Sequence, residues 1–206
     1  ERPALGYFQH EAATVDPERA QLYLTEDVPD GGFYRYSPNR LGADGHPDLT
    51  DGVLEIAQVV GSGPTGAVVW HPLADPNPDL ALPEGIATRY QIAESTPFRG
   101  GEGIWFHEGI VYFTTKGDNR VWAYDVEAER MEILYDDDNH DNPILTGVDN
   151  VVVTPTGDVV VSEDGGDMQI VAITPEGVLV PLVQIVGQDE SEVTGPAFSP
   201  DLTRLY

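Results

Sequence analysis

Residues 147–186 read GVDNVVVTPTG, DVVVSEDGG, DMQIVAITPEG and VLVPLVQIV. Four short runs rich in β-branched residues are punctuated by Pro155-Thr156-Gly157, Gly165-Gly166 and Pro175-Glu176-Gly177. Such runs are too brief and too β-branched for helices, and each break carries turn chemistry. The stretch from Gly101 repeats the plan as GEGIWFHEG, IVYFTTKGDN, RVWAYDVEAE and RMEILYD. A third copy opens as TGPAFSPDL, TRLY at Thr194. The spacing of about 46 residues, four strands to a unit, lies in the range of β-propeller blades.

Two periods before Glu102 stands Glu11, in HEAATVDPERA, QLYLTED, GGFYRYSPNR, with the same phase. The intervening blade is expected over about Val53 to Arg89, with a long inserted loop where the pattern thins at Gly61–Gly66 and Pro72–Pro83. The expectation for residues 1–206 is therefore part of a single all-β domain. It is a β-propeller with blades starting near 10, 53, 101, 147 and 194, about four blades plus the start of a fifth. The strand pattern runs up to Tyr206 without a closing strand, and propellers close to remove sheet edges. The remainder of the same polypeptide is thus expected to be needed for closure.

The net charge is -26, with Lys116 and nine arginines as the cations. Such a field repels nucleic acid and anionic membranes and concentrates cations. It is equally what a solvated surface in salty surroundings carries. There is no cysteine, so neither a disulfide nor a thiolate metal site forms within the chain. The longest apolar run, Val178 to Val186, is broken by Pro181 and Gln184 and is far too short for a membrane span. No signal peptide opens the chain, as is also true of a mature exported protein.

Aligning the units puts carboxylates in register. Glu11, Glu102 and Asp149 open the first strands, with Asn150 beside Asp149. At the ends of the second strands stand Glu26-Asp27, Thr115-Lys116 and Glu163-Asp164, after YLT, YFT and VVS. First strands line a propeller's axis, so these acids are expected to converge. Four or five carboxylates share a small space only with cations, since their repulsion otherwise forces protonation. Hard oxygen donors of irregular geometry suit calcium. A single acid at a strand end serves solubility as readily; the shared register is what points to a site. Lys116 fills the slot that holds Asp27 and Asp164 elsewhere, either to bind a substrate anion or to neutralise charge. Arg99, three residues before Glu102, is a second candidate anion binder, because a guanidinium forks onto phosphate oxygens; it is otherwise an exposed loop arginine.

Other signals fail. His10-Glu11 begins like HExxH, but Thr14 stands where the second histidine belongs. An EF-hand loop starting at Asp136 would need Gly at its sixth position and Glu at its twelfth, where Asp141 and Gly147 stand. The five histidines show no ligand spacing, and no nucleophile elbow, P-loop or dinucleotide fingerprint occurs.

The combination GYFQHEAATVD, LYLTED, FYRYSP, FRGGEGIWF, VYFTTKGDNRVWAYD, GVDNVVVTPTGDVVVSEDGG and GPAFSPDLTRLY resembles the PhoX family of calcium-dependent alkaline phosphatases. The likeness spans nearly everything outside about Gly42 to Arg89. It implies a six-bladed propeller and a periplasmic or extracellular phosphomonoesterase acting on small-molecule phosphate esters. It also implies Ca2+ and Fe3+ clustered at the axis, with an oxo group between metals. By that resemblance Glu11 and Glu102 are metal ligands, as are Asp149, Asn150 and Glu163; Asp27 joins them by its register. The family's phosphate-binding arginine stands two residues before the glutamate matching Glu102, whereas Arg99 stands three before it. The family's iron-binding cysteine and a further glutamate ligand lie upstream, in a segment this chain lacks. Two other functions fit a propeller with axial acids, a calcium-dependent lactonase and a non-catalytic calcium-binding propeller, and fold alone does not choose among them.

Overall fold

The computed structural model describes residues 2–188 and 191–206. Among the described residues thirteen strands form two sheets. The first unit is a meander of β1 (His10–Asp16), β2 (Gln21–Glu26), β3 (Phe33–Pro38) and β4 (Gly52–Val60). After the turn at 61–65 comes β5 (Gly66–Pro72). The second unit is β6 (Gly101–His107), β7 (Ile110–Thr115), β8 (Arg120–Asp125) and β9 (Arg130–Asp136). The third is β10 (Val148–Val153), β11 (Val159–Glu163), β12 (Gln169–Ile173) and β13 (Leu179–Gln184).

The blade expected to begin near Val53 is not a separate unit. Gly52–Val60 pairs with the preceding strand, Tyr34 opposite Ile56 and Tyr36 opposite Leu54, and so completes the first unit. The 39–51 loop separates these partners in sequence and gave the fourth strand the look of a new beginning. β5 hairpins onto β4 and then meets β9 through Gly66 opposite Met131 and Ala67 opposite Arg130. The first two units thereby become one nine-stranded sheet, in the order β1-β2-β3-β4-β5-β9-β8-β7-β6. The third unit is a separate four-stranded sheet. Past it, Phe198 bridges Leu205, and this hairpin packs on Val160, Ile170 and Ala172.

Two cores hold the units together. Between the first and second, Tyr23, Phe33, Phe98, Phe113, Trp122 and Tyr124 interleave, with Phe33 stacked on Phe113 at 4.5 Å between ring centres. Aromatic pairs of this kind contribute about 0.5–1.5 kcal/mol each beyond their buried area. Between the second and third the core is aliphatic: Val121, Leu145, Val148, Val151, Val161 and Val171 close around Tyr135. Both arrangements bring β1, β6 and β10 side by side. At Gly103 the β6 and β10 backbones approach so closely that a Cβ would lie 2.6 Å from Asn150 Cα and from Val151 N. Among the described residues no helix is long and apolar enough to cross a membrane.

Candidate metal centre

Each first strand carries the same defect. Pairing with the second strand slips between His10 and Ala13, between Gly101 and Ile104, and between Val148 and Val151. The residues left out of register include Glu11, Glu102 and Asp149. A bulge turns a side chain away from the pleat's alternation, and bulges recur beside functional sites for that reason. The slot after the second strand also repeats. Asp27 N donates to Gln9 O, Lys116 N to Gly100 O and Asp164 N to Gly147 O, each at 2.9 Å. Asp27, Lys116 and Asp164 are therefore structural equivalents, as their sequence register predicts.

The side chains from these two rows feel one another's charge. Glu102 is only 6% exposed, and burial, then Asp149, Asp27 and Glu11, push its carboxyl up to about 8, against a partial pull downward from Lys116. Glu11 is raised by burial and by Asp149, Asp27 and Glu192, with Lys116 again opposing. Asp149 is raised chiefly by burial; Lys116 and the Asn150 amide, which donates to Asp149 Oδ1, hold it down in part. Asp149, Asp164 and Glu192 bring one oxygen each within 4.8 Å of the others. Lys116 Nζ donates to Asp164 Oδ2.

Most of the expected residues thus come together: Glu11, Asp27, Glu102, Asp149, Asn150 and Lys116. Glu163 does not join them. Its carboxylate is completely buried, accepts from Thr146 N at 2.5 Å and from Gln169 N at 2.8 Å, and feels Asp167 among the acids. Burial raises it, and the two amides pull the other way. Its equivalent Glu26 is equally buried and accepts from Gly32 N at 2.9 Å, Tyr34 Oη at 2.7 Å and Arg89 Nη1 at 2.9 Å. Each accepts from an amide at or just before the start of its third strand, Gly32 N or Gln169 N, and each has a further donor from outside that turn, Arg89 or Thr146.

Arg99 lies beside Lys116 through the main chain, its carbonyl accepting from Gly117 N at 2.8 Å, and its side chain is exposed. Two members escape the sequence reading. Asp164 stands in register with Asp27 but is passed over in favour of Glu163. Glu192 arrives from a loop through an isolated bridge to Asp164, which no strand pattern announces. The acidic run at Asp136–Asp138 forms a second group of close carboxylates. Arg120 answers Asp136 there, and Asn119 donates to Asp137.

Comparison with known proteins agrees with this architecture. The solved structure of Pseudomonas fluorescens PhoX in complex with vanadate, a transition state analogue, is similar with a TM-score of 0.71 at 18% identity. The match covers 98% of this chain and 48% of that one, so the chain spans about half the length of that relative. At such identity the likeness shows the fold alone, a β-propeller. A luciferin-regenerating enzyme aligns with a TM-score of 0.43 at 18% identity, over 95% of this chain and 81% of its own. No curated protein matches the chain. The family model for alkaline phosphatase PhoX matches residues 1–206, and the chain belongs to the PhoX alkaline phosphatase family.

Proposed function

We propose that this chain supplies part of the metal centre of a phosphomonoesterase, with Glu11, Asp27, Glu102, Asp149 and Asn150 at the propeller axis and Asp164 and Glu192 beside them. The observation that carries the reading is the bulge repeated in all three first strands at Glu11, Glu102 and Asp149, which leaves these acids close enough to raise one another's carboxyls. The donors fit calcium, which takes six to eight oxygens in flexible geometry. Ferric iron is the second candidate, toward which these residues would offer carboxylate oxygens. A bound cation of this kind supplies charge that draws in phosphoryl oxygens and lowers the pKa of water.

The chain's own residues do the rest. Glu102, whose carboxyl is pushed up to about 8 by burial and the neighbouring acids, would hold a cation as the carboxylate, and that need favours loading in alkaline solution. Asn150 orients the Asp149 carboxylate by its amide. Arg99 offers an exposed guanidinium to the phosphoryl group, with Lys116 a second cation shared with Asp164. The substrate is a small phosphate ester, and the protein acts in the periplasm or outside the cell, as membership of the family supports.

The test combines elemental analysis of the purified protein with hydrolysis of a chromogenic phosphate monoester. Calcium, with or without iron, is expected, and Glu102→Gln and Glu11→Gln are each expected to lose about 100-fold or more in rate, at the upper end of losses seen even for residues one shell out from a metal. Hydrolysis near the wild-type rate in either variant would overturn the reading. A protein that binds calcium and opens lactones but not phosphate esters would replace it with the lactonase.

A further inference from the structure

The runs YLT, YFT and VVS each finish on a hydroxyl, one residue before the strand-end slot held by Glu26, Thr115 and Glu163, and the metal centre does not use them. Thr25 and Thr114 are both fully buried. Thr25 Oγ1 accepts from Ala12 N of its own unit at 3.2 Å and lies 2.6 Å from the carbonyl oxygen of Glu102 in the next unit. Thr114 repeats the arrangement one unit on: its Oγ1 donates to the carbonyl oxygen of Asp149, with Gly103 O of its own unit farther away at 3.4 Å. A hydroxyl has one proton to give. In each case the shorter contact is the one across the unit boundary.

The receiving carbonyls belong to the two buried carboxylate residues of the site, both inside the bulges. A bulged residue leaves the ladder, so its peptide plane lacks the usual cross-strand restraint. A hydrogen bond from a buried, β-branched and hence rotationally restricted side chain restores that restraint from outside. Fixing the carbonyl fixes the peptide plane that follows the carboxylate's Cα and so narrows the directions open to its Cα–Cβ bond.

We propose that Thr25 and Thr114 are positioning residues, each locking the aim of the metal-binding carboxylate in the following unit, Glu102 and Asp149 respectively. The inference rests on the metal-centre reading above. It differs from a merely structural role, in which the hydroxyls only satisfy buried carbonyls. Thr14 supplies the contrast: its Oγ1 accepts from Phe106 N across the same boundary at 3.0 Å, with no carboxylate residue involved.

The measurement is calcium titration by calorimetry on chelator-stripped protein, with thermal melts of the same samples. Thr114→Val is expected to weaken calcium binding about tenfold or more, the loss typical when the support of a metal ligand is removed. Thr114→Ser, which keeps the hydroxyl, restores affinity to within a few-fold. Thr14→Val lowers the melting temperature but leaves calcium affinity at the wild-type value. Calcium binding by Thr114→Val at wild-type affinity overturns the proposal while the metal centre stands. If that variant does not fold, Thr25→Val is read in the same way. A wild-type protein that binds no calcium overturns the metal centre and the proposal together.

Discussion

Glu26 and Glu102 are both buried glutamates on neighbouring strands, and their surroundings differ in kind. Glu26 is met by three donors: an amide, a phenol and a guanidinium. Around Glu102 the neighbours are further acids, relieved only by Lys116. Glu163 belongs with Glu26, and Glu11 and Asp149 with Glu102. Two rows of acids recur with the period of the units, some 14–15 residues apart, Glu26 and Glu163 held by donors and Glu11, Glu102 and Asp149 crowded by one another. Phase alone does not separate them; the sign of what faces them does.

The sharpest way to break this division is to exchange the consequences. Glu26→Ala should cost the fold roughly 3–5 kcal/mol, the usual loss on removing one partner of a buried ion pair, because Arg89, Tyr34 and the Gly32 amide lose their acceptor. Urea denaturation checks it. A loss below about 1 kcal/mol would place Glu26 with the cation-binding row.

A smaller effect should appear in the pH dependence of stripped protein. In the folded chain Glu102 holds its proton up to about pH 8, above its ordinary value of 4.5, so between those values the native state binds more protons than the unfolded state. Stability then falls as pH rises through that window. Melting of calcium-free wild type should drop by several degrees from pH 5 to pH 9, more steeply than that of Glu102→Gln. Added calcium should reduce the drop. Parallel profiles for wild type and Glu102→Gln would mean that Glu102 is not crowded in solution.

The smallest effect belongs to Lys116, the cation in the acidic row. It is half-exposed and already committed to Asp164, so a phosphate ion gains only a share of its charge. Lys116→Met should weaken inhibition by inorganic phosphate about fivefold, equivalent to about 1 kcal/mol, the ceiling for a partly exposed pair. No change would leave Arg99 as the anion contact and Lys116 as a neutraliser.

The sequence displays the rows because a repeated backbone imposes the same alternation on each copy. Glu11, Glu102 and Asp149 fall at one structural position, and so do Asp27, Lys116 and Asp164. What it hides is set by contacts without a pattern. The donors that claim Glu163 are main-chain amides of Thr146 and Gln169, and one of the three that claim Glu26 lies 63 residues away at Arg89. Glu192 is delivered by a single bridge. The fourth strand of the first unit is obscured by its preceding loop, and β5 joins β9 through only Gly66 and Ala67, whose identities say nothing of a partner.

That short pairing has a mechanical consequence. Sheets arranged around a common axis diverge outward, leaving a wedge-shaped gap in which neighbours could rock. β5 joins the first two units by main-chain pairing at Gly66 and Ala67, so strand pairing as well as the aromatic core restrains the angle between them. Glu11 and Glu102 ride on this clamped pair. Asp149 rides on a separate sheet, seated by side-chain packing with no strand clasp to its neighbour among the described residues. Any ion taken up among these acids is therefore expected to be fitted by movement of Asp149 rather than by the spacing of Glu11 and Glu102.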